Sequence, residues 1–147
     1  MFWVSPCLGL GPYPLPEAAK RLHAGGISHV LNVAEARGSF DPTPFVEVAF
    51  HPLDDLRLLP TPLVDACLRS LERMLREPNA RVYVHCSAGQ NRSPTILWLY
   101  LIACGLEPEE AGAKIAAASF DACPGHPALI DEALVTWARA VGKAEGL

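Results

Sequence analysis

Apolar positions in this chain fall into two kinds of run. Short, nearly continuous stretches sit between turn-forming residues. These are Phe2-Trp3-Val4, Cys7-Leu8-Gly9-Leu10, Ser28 to Ala34, Phe45 to Phe50 and Arg81 to Val84. Runs of this length and make-up read as buried strands. Between them the period lengthens. Leu63, Val64, Cys67, Leu68, Leu71, Met74 and Leu75 recur at helical spacing, while Arg69, Glu72, Arg73 and Arg76 take the wet side. Thr61 as N-cap with Pro62 behind it starts that helix, and Pro78-Asn79 stops it. A first helix is expected from Pro16 to about Ala24, ended by Gly25-Gly26. Another is expected over Ser93 to Cys104, and a short alanine-rich one from Glu107-Pro108-Glu109-Glu110. Pro127 opens the last, with Leu129, Ile130, Ala133, Leu134, Trp137 and Val141 as its inner stripe. Strands alternating with helices give an α/β class, a central mostly parallel sheet flanked by helices.

Bulk properties narrow the function. At 147 residues the chain is expected to form a single domain over residues 1–147. A net charge of −4 argues against nucleic acid and against an anionic membrane surface as partners, so an anionic substrate needs a local positive site. Cys7, Cys67, Cys86, Cys104 and Cys123 are odd in number, widely spaced and without a C-x-x-C pair. That favours reduced thiols over a disulfide framework or a metal site. His23, His29, His51 and His126 show no metal-ligand spacing either. The apolar Met1-Phe2-Trp3-Val4 has no basic residue before it, unlike a signal peptide. The longest apolar run, Ile96 to Leu106, is about half of the ~20 residues a membrane helix needs. A soluble, cytoplasmic protein is the expectation; oligomeric state is not legible.

The chemistry concentrates in Val84-His85-Cys86-Ser87-Ala88-Gly89-Gln90-Asn91-Arg92-Ser93-Pro94. A strand runs in, a helix runs out, and a cysteine and an arginine flank five residues. Loop N–H groups and a helix N-terminus make an anion cradle. Gly89 allows the curl, and the planar fork of Arg92 holds two oxygens of a phosphate. Cys86 lies in the same positive field, which lowers thiol pKa values. His85 is expected to support the loop, and Ser93 to donate to the sulfur.

This motif resembles the signature of the cysteine-dependent protein tyrosine phosphatases: His-Cys, five residues, then Arg-Ser/Thr. Leu22-His23-Ala24-Gly25-Gly26-Ile27-Ser28-His29-Val30-Leu31-Asn32-Val33 resembles a segment of the small, atypical dual-specificity branch, and similarity runs from about Phe2 to Leu106. The resemblance implies a protein tyrosine phosphatase-like fold and hydrolysis of phosphotyrosine, with phosphoserine and phosphothreonine, through a phosphocysteine. Cys86 would be the nucleophile, and the N–H groups of Ser87, Ala88, Gly89, Gln90, Asn91 and Arg92 would hold the phosphate. The partner would be a phosphorylated protein or peptide, with no metal or cofactor. Asn91 departs from the serine common before the arginine. The family's general acid is an aspartate on an earlier loop. Asp54 and Asp55 qualify, and Asp54, 32 residues before Cys86, has the spacing the resemblance implies. Two alternatives share a loop cysteine. A phosphoinositide or RNA 5′-phosphatase uses the same scaffold, although the loop lacks the lysines common in lipid-directed members. A rhodanese-type sulfurtransferase lacks the His-Cys and Arg-Ser pairing.

Overall fold

A computed structural model describes residues 2–145; Met1, Gly146 and Leu147, which belong to the expected 1–147 domain, lie outside the described residues. Five strands form one sheet: β1 (Phe2–Ser5), β2 (Leu8–Gly11), β3 (His29–Asn32), β4 (Glu47–Phe50) and β5 (Val82–His85), in the spatial order β1-β2-β5-β3-β4. Only β1, joined to β2 by a tight turn, is antiparallel to its neighbour; the other pairs are parallel. The helices are α1 (Pro16–Ala24), α2 (Thr61–Leu75), α3 (Arg92–Ala103), α4 (Pro108–Ala118) and α5 (Glu132–Glu145).

Alternation along each strand sorts side chains onto two faces. Leu8, Leu10, Leu31, Val82 and Val84 pack with α2, α3, α4 and α5 in the larger core. Val30 and Tyr83 point the other way, where Ala19 of α1, Ile27, Phe40 and Phe45 make a smaller one. Being central, β5 is buried at every residue, and so is α3. A helix enclosed on all sides has no polar stripe to keep, which is why its sequence shows little periodicity.

Several boundaries differ from the sequence reading. Thr61 is the first residue of α2 rather than its N-cap; Pro60 occupies that place and offers no capping side chain. The last helix begins at Glu132 and not at Pro127. The Asp131 carboxylate accepts the Leu134 backbone N–H at 2.8 Å, a capping bond that fixes the start there. Leu129 is fully buried ahead of the helix, whereas Ala133, expected on the inner stripe, is exposed and Ala138 is buried in its stead. Cys7, expected in the core, is exposed, while Cys67 is buried. Among the described residues no helix is long and apolar enough to cross a membrane.

The topology puts the C-terminal ends of the parallel strands together. Gly11 of β2, His85 of β5 and Asn32 of β3 stand side by side in register. Loops leaving these three ends converge, and ligands of open α/β sheets bind at such a convergence.

Candidate active site

The cradle begins where β5 ends. His85 is fully buried and stacks on Tyr83, with the Tyr13 ring edge-on at 5.6 Å. Its Nδ1 lies 3.2 Å from the Cys86 carbonyl oxygen, so it donates there as the neutral tautomer. Burial pulls its pKa down from 6.5 to about 4, against the smaller opposing effect of that hydrogen bond. The ring is therefore neutral at pH 7 and acts as a structural pin under the loop.

Cys86 is 2% exposed, its Sγ 3.3 Å from the Oγ of Ser93, which is fully buried. The loop then turns at Gly89, whose φ is +75°. A Cβ there would sit 2.7 Å from the backbone of Gly11, so both the conformation and the space demand glycine. Backbone bonds pin the loop from outside: Tyr13 donates to the Ser87 carbonyl at 3.0 Å and Cys123 to the Gln90 carbonyl at 2.6 Å. These use carbonyls. Among the described residues, no backbone carbonyl of the protein takes an N–H from Ser87 to Arg92, so these donors remain for an anion.

Arg92, the first residue of α3, is 4% exposed. Its guanidinium is held along one edge. One terminal nitrogen donates to the Leu53 carbonyl at 2.9 Å and to the Glu35 carboxylate; the other donates to Ser87 Oγ at 3.2 Å. The buried Nε has no protein partner. An arginine with a tied edge and an unpaired inner nitrogen is set to grip an oxyanion.

Sequence reasoning missed Glu35. It carries no spacing signal of its own, but Asn32 explains its placement. Buried at the end of β3, Asn32 accepts the Ala34 N–H at 2.8 Å and donates to the Ala36 carbonyl at 3.0 Å. That side chain shapes the turn which presents Glu35 to Arg92 and to Ser87 Oγ, 3.3 Å away. The guanidinium and these hydrogen bonds hold the Glu35 carboxyl below its ordinary pKa.

The third loop carries the candidate acids. Leu53 and Leu59 are buried anchors at its ends, and Asp54 to Leu58 are exposed between them. Asp54 and Asp55 both line a cleft of about 480 Å³ shared with Glu35, Arg57, Ser87 and Arg92. They differ in contacts. The Asp55 carboxylate accepts the side-chain amide of Asn91 at 3.3 Å and the Leu56 N–H at 2.9 Å. Asp54 opens on the same cleft without a hydrogen bond among the described residues. Leu56 adopts φ of +56°, a left-handed conformation that costs a branched side chain about 1 kcal/mol or more. His51, near this loop, bonds Ser70 Oγ at 2.7 Å and braces α2 rather than the cleft.

Residues 9–142 match the family model described as Swiss Army Knife protein, DSP-PTPase phosphatase domain. Protein tyrosine phosphatase type IVA 2 of Mus musculus is 33% identical over 102 residues, 66% of this chain and 60% of that protein. Dual specificity protein phosphatase 26 of Homo sapiens is 29% identical over 108 residues, 67% of this chain and 49% of that protein. The chain thus spans about half to three fifths of the length of these curated relatives. Human DUSP28 superposes with a TM-score of 0.79 at 20% identity, covering 99% of both chains. PTPMT1, solved in complex with PI(5)P, superposes with a TM-score of 0.80 at 21% identity, covering 98% of this chain and 97% of that one. Both show a shared fold.

Proposed function

This chain belongs to the DSP-PTPase phosphatases, cysteine-dependent hydrolases of phosphoric monoesters, and from that premise we propose that it dephosphorylates proteins or peptides, phosphotyrosine fastest. The observation that carries this reading is the cleft shared by the half-tied Arg92, Ser87 and the Asp54–Asp55 loop, with Cys86 at the start of the cradle loop and its Sγ 3.3 Å from Ser93 Oγ. In this mechanism the Cys86 thiolate attacks phosphorus, and an S–P bond forms as the P–O bond to the leaving oxygen breaks. Arg92 and the N–H groups of Ser87 to Arg92 hold the three equatorial oxygens. An aspartic acid gives its proton to the departing oxygen. The resulting carboxylate then takes a proton from water, whose oxygen attacks phosphorus and expels the sulfur. Ser93 Oγ–H, 3.3 Å from Sγ, steadies the thiolate as it leaves.

Sequence spacing favoured Asp54 as the acid; the geometry favours Asp55. Asn91 holds the Asp55 carboxylate beside the cradle through a 3.3 Å hydrogen bond, and no comparable contact holds Asp54. A leaving-group comparison separates them. Asp55→Asn is expected to slow a phosphotyrosine peptide by roughly a hundredfold, within the range for general acid catalysis. It should barely affect an aryl phosphate whose phenol is strongly acidic and needs no proton. Should Asp54→Asn produce that pattern instead, the role returns to Asp54.

PTPMT1, with its PI(5)P complex, supports a second, lipid reading on grounds of fold. The mouth of this cleft counts against it. Glu35, Asp54 and Asp55 face a single Arg57 there besides Arg92, and a polyanionic headgroup meets net repulsion. A panel of phosphotyrosine, phosphoserine and phosphothreonine peptides beside phosphoinositides and RNA 5′-triphosphate decides the class.

A further inference from the structure

The catalytic cleft has an apolar annexe. A second cavity of about 450 Å³ opens beside it, and the two share Glu35, Asp54 and Arg57 in their walls. Beyond that shared wall the lining changes to Pro52, Leu58, Pro60 and Leu63. Leu58 is 53% exposed and Leu63 41% exposed, although leucines of this size are normally covered. Leu56, on the same loop, is 59% exposed. Three of the seven exposed large hydrophobic side chains among the described residues thus stand on or next to one loop, the loop that also carries the candidate acid. A patch of this kind next to a reactive centre is where a substrate's own apolar surface is covered.

We propose that this annexe receives an apolar side chain next to the phosphorylated residue of a peptide, so that the enzyme selects phosphopeptides with large aliphatic or aromatic flanks and rejects acidic ones. The inference rests on the protein-phosphatase reading and narrows its substrate class. Continuity places the occupant: whatever enters the annexe is attached within a residue or two of the group whose phosphate sits on Arg92, since one residue spans about 3.3–3.6 Å. Charge chooses between occupants. The wall common to both cavities carries Glu35 and Asp54 against Arg57, with Asp55 close by. An acidic flank meets repulsion there. An anionic bilayer, which would have to lie across this mouth to deliver an acyl chain, meets it over a wider area. An uncharged peptide with leucine or phenylalanine beside the phosphotyrosine meets none.

The test uses matched phosphotyrosine peptides carrying Leu, Ala or Asp at each of the two positions on either side. At one position at least, kcat/KM should rank Leu above Ala above Asp, with about tenfold between the extremes, the effect of one well-covered aliphatic side chain. In the double variant Leu58→Ser, Leu63→Ser that ranking should flatten. Turnover of p-nitrophenyl phosphate, which has nothing to place in the annexe, should stay within about twofold of wild type, which also reports intact folding. Equal rates across the peptides, or a ranking that survives in the variant, overturns the inference and leaves the phosphatase reading standing. If no phosphopeptide turns over while phosphatidylinositol 5-phosphate in vesicles does, the annexe takes an acyl chain, and the inference and the protein-phosphatase reading fall together.

Discussion

Glu35 offers the sharpest test of how the cradle is built, because two forces on it oppose each other. Its carboxylate holds one edge of the Arg92 guanidinium, but it also adds negative charge to a site that must admit a phosphate dianion. Consider Glu35→Ala. The pair is asymmetric: the Arg92 side chain is 5% exposed and that of Glu35 62%. Removing a partner from a fully buried pair costs roughly 3–5 kcal/mol, and an exposed pair contributes at most about 1 kcal/mol. Arg92 keeps the Leu53 carbonyl at 2.9 Å and Ser87 Oγ at 3.2 Å, and water can reach the vacated side. The loss therefore falls between those limits, about 1–2 kcal/mol. Relief of repulsion works the other way and is smaller, since a carboxylate this exposed is screened by solvent. That figure is a cost to the folded state; the share of it that loosens Arg92 on the phosphate, at most about 1.4 kcal/mol, corresponds to a fall of up to about tenfold in kcat/KM. Glu35→Gln keeps a neutral acceptor and should lose about threefold. Steady-state kinetics on an activated aryl phosphate measure both, with thermal melts to check that the variants fold. If Glu35→Ala matches or exceeds wild type, Glu35 is a plug in the cradle rather than a support, and the account of Arg92 fails.

Further expectations follow from the same geometry. Cys86→Ser should bind inorganic phosphate nearly as wild type while losing turnover to below about 1% of it, because the donors remain and the nucleophile does not; isothermal titration beside kinetics checks this, and substantial residual turnover would remove Cys86 from the chemistry. His85 sets a pH dependence. Its folded pKa of about 4 lies below the ordinary 6.5, so its contribution to stability is fully present above pH 6.5. As pH falls through 6.5, the unfolded chain takes up a proton that the folded one refuses, and stability drops by about 3 kcal/mol in all by pH 4. Urea unfolding of wild type and His85→Gln between pH 5 and 7, above the range where Glu35 protonates, should show that slope flattening in the variant; parallel slopes would refute the burial argument. Gly142→Ala should lower stability by about 2–3 kcal/mol, roughly 5–10 °C in melting temperature. An added Cβ would lie 1.9 Å from the Ala103 carbonyl oxygen, where α5 presses on α3. That clash outweighs the ~1 kcal/mol that alanine gains in a helix, so an unchanged melting temperature would contradict the close packing.

How far the sequence spoke depended on whether neighbours in the chain were also neighbours in space. The segment from His85 to Ser93 is local: strand, loop and helix are consecutive, and a run of apolar residues, a glycine and an arginine suffice to define it. The strands and most helices are legible as well, because each is a local run, whereas the order β1-β2-β5-β3-β4 and the split into two cores depend on pairings between distant segments. Glu35 was invisible because it lies 57 residues from Arg92 and meets it only through the register of β3 on β5. The proposal of Asp55 over Asp54 rests on one amide contact, that of Asn91, which a spacing does not encode. Pro127 misled for a different reason: it fits a helix start, but the capping bond of Asp131 lies four residues on and wins.

The complete burial of α3 gives the two halves of the machinery different free energies of opening. Arg92 and Ser93 are the first turn of a helix with no exposed residue, so backbone amides deeper in α3 can exchange with solvent only when the whole fold opens. The segment from Asp54 to Leu58 hangs in solvent between the anchors Leu53 and Leu59 and can open by itself. On the proposed assignment of the acid, heat or mild denaturant is expected to part the cradle from the donor of the proton before the protein unfolds. Affinity for the phosphate group then outlasts the ability to release an alcohol from it, and the enzyme fails first as a catalyst and only later as a binder.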